Sequence, residues 1–166
     1  MIALHEFNHL SHEKALALIH PCVALPGWAD ALALGRPYAN RDELFSTAKA
    51  LTHAWDDAAL AQALSAHPRI GEKPAGSQAE AALSRQEQGA VNEGDAGLAQ
   101  ALREGNARYE ARFGRVFLIR AKGRSGEDIL QALHARLENS DAQEVRAALE
   151  QLREITLLRL EGVISE

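Results

Sequence analysis

Residues 140–163, SDAQEVRAALEQLREITLLRLEGV, decide the fold. Ser140 stands three positions before Gln143, the spacing at which a hydroxyl caps a helix and an amide reaches back to it. Behind this start signal Val145, Ala148, Leu149, Leu152 and Ile155 recur at helical spacing. A helix with one apolar stripe must lay that stripe against other elements. The rest of the chain predicts that these are helices too. Its 166 residues include 32 Ala and 23 Leu but only 15 Val, Ile and Thr together. Ala and Leu lead the helix-propensity ranking, whereas β-branched residues favour strands.

Start and stop signals recur upstream. Ser11 caps a helix through Ala15, Leu16, Leu18 and Ile19 that stops near Pro21. Pro26-Gly27 reads as a turn, followed by a short helix from Trp28 to Leu34 that Gly35 ends. Asn40 and Glu43 form a capping box before the stripe Leu44, Ala48, Leu51, Trp55. Asp56 or Asp57 restarts a helix through Leu64, and His67-Pro68 ends it, because the residue before proline avoids helical geometry. Arg69 to Gly76 is a loop by its Gly and Pro content. Ser77 with Glu80 opens a helix to about Val91, and Gly94 breaks it. Asp95 caps the next, with Leu98, Leu102, Tyr109 and Phe113 on one side and Gly114 at its end. Val116 to Ile119 is the one strand-like run, and a lone run makes no stable sheet. Ser125 and Asp128 cap the penultimate helix. The expected architecture is a single all-α domain over residues 1–166. It is a bundle of about seven or eight helices with one short extended segment near 116–119.

Composition excludes several function classes. A formal net charge of -5 argues against a nucleic-acid surface. No apolar run approaches the roughly 20 residues of a membrane span. Cys22 is the single cysteine, so no internal disulfide forms. The N-terminal residues lack a signal-peptide pattern, which makes the expected location cytoplasmic.

Four polar features interrupt the Ala/Leu background. His67, at a helix end before a rigid proline turn, is placed to act as a general acid or base. The same histidine could also serve only as a cation at the negative end of the helix dipole. Ser84, Glu87, Gln88 and Val91 share one helix face. That face suits a ligand rich in N–H and C=O groups, or is simply solvated. Arg159 falls on the stripe of the last helix, four residues after Ile155. Either its guanidinium points inward and needs a partner, or its stem covers the core while its head reaches water. His5, His9 and His12 have helix-compatible spacing, but neither a cysteine nor a carboxylate completes a metal set. Nucleotide-loop, Cys-x-x-Cys and nucleophile-elbow motifs do not occur.

Taken in order, five motifs resemble the OHCU decarboxylases, which act on 2-oxo-4-hydroxy-4-carboxy-5-ureidoimidazoline. They are His67-Pro68-x-Ile70-Gly71, Ser84-x-x-Glu87-Gln88, Asn106-x-x-Tyr109-x-x-x-Phe113-Gly114-x-x-Phe117, Gly123-x-Ser125 and Ile155-x-x-x-Arg159-Leu160. Trp28 and Arg36-Pro37-Tyr38 match upstream, so the resemblance runs over roughly residues 5 to 163. It implies an all-α, cofactor-free, metal-free homodimer that forms (S)-allantoin in the third step of urate degradation. His67 and Glu87 would be the catalytic pair. Pro68, Ser84, Arg85, Gln86, Glu87, Gln88, Ile119, Arg120, Ala121, Lys122, Gly123 and Arg159 would bind substrate. Functional coupling to 5-hydroxyisourate hydrolase follows from the same resemblance. The rival expectation is a helical module that binds a small ligand or a metal without turning anything over.

Overall fold

A computed structural model describes residues 1–67, 69, 70, 83, 86–88 and 96–166. Among them are eight α-helices: α1 (Leu4–His9), α2 (His12–Ile19), α3 (Pro26–Leu34), α4 (Arg41–Leu51), α5 (Asp57–Leu64), α6 (Ala96–Phe113), α7 (Gly126–Arg136) and α8 (Asp141–Val163). Short 3-10 turns cover His20–Cys22 and Thr52–Ala54. The all-α expectation holds.

Boundaries follow the caps. Ser11 Oγ accepts the Lys14 N–H at 3.2 Å, and Asn40 Oδ1 accepts that of Glu43 at 2.8 Å. Asp56 Oδ1 accepts the Ala59 N–H at 3.0 Å, which settles the choice between the two aspartates. Ser125 with Asp128, and Ser140 with Gln143, form reciprocal boxes. Gly114 ends α6 at φ +70°, a left-handed geometry that costs glycine nothing. Pro26-Gly27 is not a separate turn. It is the first turn of α3, where proline's missing N–H is one of the unpaired donors anyway. The stripe Leu44, Ala48, Leu51, Trp55 also departs from the expectation at its end: α4 stops at Leu51, and Trp55 is extended.

The chain forms two units, Met1–Ala63 with Arg153–Glu166, and Leu64–Leu152. In the first, Arg36 ties helix ends together. Its Nε donates to the Ala33 carbonyl at 2.8 Å, and its Nη1 to those of Phe7 and Leu10 at 2.7 and 2.8 Å. Tyr38 donates its hydroxyl to the Leu32 carbonyl at 2.6 Å, and the Trp28 indole donates to that of Ala48 at 3.1 Å. The Trp28 and Arg36-Pro37-Tyr38 motifs are therefore structural seams. Two-residue strands β1 (Ile2–Ala3) and β2 (Ile164–Ser165) pair in parallel, Ile2 beside Ile164. Nothing in the sequence pattern announces this pairing.

The second unit has a core of Ile70, Leu102, Tyr109, Phe117, Ile119, Ala121, Ile129, Leu133 and Leu137. Gly105 brings α6 close to α7: a Cβ there would run into Leu133 Cδ2. The Val116 to Ile119 run belongs to neither strand, yet Phe117, Leu118 and Ile119 are buried. The capping box at Ser77 and Glu80, and the breaker Gly94, lie outside the described residues. Leu83, Gln86 and Glu87 are helical, as expected between them.

Candidate active site

His67 sits just past α5, where its N–H donates to the Leu64 carbonyl at 3.1 Å. The ring is half-buried, with Nε2 shut off from solvent. Helix α6 holds the chain that follows. Asn106 donates its side-chain amide to the Ile70 carbonyl at 2.9 Å, and Ile70 itself enters the core. Arg69 grips Glu110 with Nε at 3.0 Å from both carboxylate oxygens and Nη2 at 2.8 Å from Oε1. Asn106 and Tyr109, read as parts of a motif, thus lie on the helix that anchors the histidine's turn.

Of the expected binding face, Gln86 is exposed, Glu87 half-buried and Gln88 buried at 3% exposure. An amide that is almost fully enclosed is not part of a solvated surface. Pro68, Ser84 and Arg85 lie outside the described residues.

The Ile119 to Gly123 segment is a buried strip that turns outward. Ile119 and Ala121 are in the core, while Lys122 and Gly123 are exposed. Gly123 has φ +82°, and Arg124 N–H closes a turn on the Ala121 carbonyl at 3.1 Å. The Arg120 N–H donates to Gln151 Oε1 at 2.9 Å. The Arg120 N–H is therefore engaged within the protein.

One buried group escaped the sequence reading. Glu144 lies four residues before Ala148 on the stripe of α8 and is fully enclosed. Its Oε1 accepts the Tyr109 hydroxyl at 2.6 Å, Arg136 Nε at 2.7 Å and Arg136 Nη2; Oε2 accepts Asn139 at 2.9 Å. Burial and the Glu144 carboxylate push the Tyr109 phenol well above its ordinary value. Arg136 Nη1 donates onward to the Leu118 carbonyl at 2.5 Å. A carboxylate in register with the apolar positions Ala148, Leu152 and Ile155 was the available signal.

His67, Glu87, Gln88 and Ile119 to Gly123 all belong to the second unit, and Arg159 to the first. There Arg159 is 3% exposed, with Nη1 at 3.4 Å from the Pro21 and Cys22 carbonyls. Its head points inward and does not reach water. The N-terminal histidines diverge. His5 and His9 pack with ring centroids 4.5 Å apart, whereas His12 Nε2 lies 2.9 Å from Asp30 Oδ1. Among the described residues no three His, Cys, Asp or Glu side chains gather as a metal set.

Known proteins resemble this chain over nearly its whole length. The family model for OHCU decarboxylase matches residues 8–161. The 2-oxo-4-hydroxy-4-carboxy-5-ureidoimidazoline decarboxylase of Amia calva is 32% identical over 164 residues, 97% of this chain and 94% of that protein. The protein of the same name from Haloferax volcanii is 27% identical over 160 residues, 96% of this chain and 94% of that one. An OHCU decarboxylase crystallised in the presence of (S)-allantoin superposes with TM-score 0.73 at 27% identity, over 92% of this chain and 97% of its own. Sequence motifs, helical architecture and near full-length matches agree: the chain belongs to the OHCU decarboxylase family, a family of carboxy-lyases.

Proposed function

We propose that the protein decarboxylates 2-oxo-4-hydroxy-4-carboxy-5-ureidoimidazoline to (S)-allantoin, with His67 moving the proton and Glu87 assisting. The substrate's carboxylate sits on a carbon that also bears a hydroxyl, beside a carbon doubly bonded to a ring nitrogen. When the bond to CO₂ breaks, its electron pair passes into that C=N. The substrate holds its own electron sink, so this reading needs no cofactor. What remains is to orient the carboxylate, stabilise the developing charge and deliver one proton to one face.

The observation that carries the reading is the His67 turn. A half-buried histidine, pinned by α6 through Ile70 and Arg69, has an enclosed ring nitrogen at a fixed place. General acid–base catalysis by such a group contributes about 10²–10⁴-fold. His67 gives a proton to the carbanion-like centre or takes one from the 4-hydroxyl, and Glu87 sets its tautomer or contacts that hydroxyl. Gln88, Ser84 and Pro68, with backbone groups of Ile119 to Gly123, read the ureido and ring amides. Arg159 binds an anionic or carbonyl oxygen. We place the enzyme in the cytoplasm as a homodimer, a single domain coupled to the hydrolase that supplies its substrate.

The test is coupled urate breakdown followed by circular dichroism, with and without the protein. Rapid appearance of optically active allantoin is the expected result. His67→Ala and Glu87→Ala should keep their helical spectrum and lose the acceleration. Most of the activity surviving in His67→Ala would overturn the assignment, and no turnover by the unaltered protein would favour a binding module.

A further inference from the structure

The Arg136–Glu144 pair is buried deeper than stability asks for. Glu144 is fully enclosed, and the Arg136 side chain is 11% exposed. Burying two charges costs desolvation that their attraction does little more than offset, and well-packed apolar replacements are often as stable. The geometry of the pair indicates another use. Arg136 spends Nε and Nη2 on Glu144, which leaves Nη1 aimed at the Leu118 carbonyl. Its guanidinium also lies 4.6 Å from the centroid of the Phe117 ring. Tyr109 also donates to Oε1 and Asn139 to Oε2, so both oxygens of the carboxylate are held. The fork of an arginine is planar, so a fixed carboxylate fixes the direction of Nη1.

The run that receives this bond needs it. Phe117 to Ile119 belongs to neither helix nor strand, so no ladder sets its register. Leu118 O is held by Arg136 and Arg120 N by Gln151, two clamps on opposite sides of Ile119. The chain then passes through Ala121 to the exposed turn at Gly123.

We propose that Arg136, oriented by Glu144, is a positioning residue that sets where the Ile119 to Gly123 segment meets the substrate. The inference rests on the reading of that segment as a substrate-binding element. Arg136 touches no reacting atom. Its contribution passes through the backbone, so its loss raises KM more than it lowers kcat.

Two variants separate positioning from stability. Arg136→Met with Glu144→Leu replaces the pair by apolar side chains and removes the clamp. Tyr109→Phe removes one bond to Glu144 and leaves Arg136 on Leu118. Amide hydrogen exchange at residues 119–123, thermal midpoint, KM and kcat are measured for both. For the double variant we expect faster exchange and KM raised by about tenfold, the scale of one lost charge-assisted hydrogen bond, with kcat within about threefold. Tyr109→Phe should lower the midpoint and leave KM alone. Unchanged exchange in the double variant overturns the positioning role. Faster exchange with unchanged KM shows that the clamp acts but that the segment does not bind substrate, which overturns the reading beneath the proposal. If the double variant does not fold, Arg136→Lys keeps the charge without the fork, and native KM and exchange in it overturn the proposal.

Discussion

Asn106 and Ile70 are joined by a hydrogen bond of 2.9 Å from side-chain amide to backbone carbonyl, across 36 residues of chain. Both partners are nearly buried. The bond connects the middle of α6 to the residue three positions after His67, so a helix of the core holds the chain close to the proposed proton carrier.

Replacing Asn106 by leucine keeps the volume and removes the donor. The Ile70 carbonyl is then buried without that partner, a cost of about 1–3 kcal/mol. Urea denaturation should report that loss, and turnover should fall along with it as the histidine's turn loosens. Unaltered stability would mean that the carbonyl finds another donor.

Arg69 and Glu110 make a two-pronged pair, but their side chains are 46% and 26% exposed. Solvent screens such pairs, and they contribute about 0–1 kcal/mol. Arg69→Ala should therefore cost less than Asn106→Leu, and its effect should shrink in high salt. Paired urea titrations at low and high ionic strength check both points.

Tyr109 gives the fold an alkaline edge. Burial, then the bond to Glu144, raises its phenol well above its ordinary value. The unfolded chain gives up that proton near pH 10 while the folded chain keeps it. This contribution to stability is full below pH 10 and is lost as the pH rises through the folded value. The urea midpoint should fall above pH 10, and Tyr109→Phe should flatten the fall. Tyr38, raised chiefly by its own burial, leaves a residual slope. Tyrosinate absorbance should lag behind that of free tyrosine over the same range.

Alanine at Gly105 sets propensity against packing. In an open helix the change stabilises by about 1 kcal/mol. Here the new methyl meets the side chain of Leu133, which is itself fully buried and cannot swing away. Overpacking of that kind costs about 1–3 kcal/mol, so the net effect should be a lower thermal midpoint. A rise instead would show that α6 and α7 separate easily.

Local signals made most of the fold legible. The caps at Ser11, Asn40, Ser125 and Ser140 act over three residues, which is the range a sequence pattern can display. Pro26 misled because proline ends one helix and begins another with equal ease. The pairing of Ile2 with Ile164 joins residues 162 apart in two-residue strands, too short for any periodicity. Of the candidate site residues that stood out as polar in the sequence, His67 is half-buried and Gln88 buried. Glu144 stayed hidden because Arg136, Tyr109 and Asn139 make it a core residue, and none of them is its neighbour on the stripe.

The β1–β2 contact has an architectural consequence. Paired strands run about 4.8 Å apart, so residues 2 and 164 stand side by side. The pairing joins the two sequence stretches of the first unit, Met1–Ala63 and Arg153–Glu166, which the whole of the second unit separates in sequence. Order along the chain and order in space are, at this corner, separable.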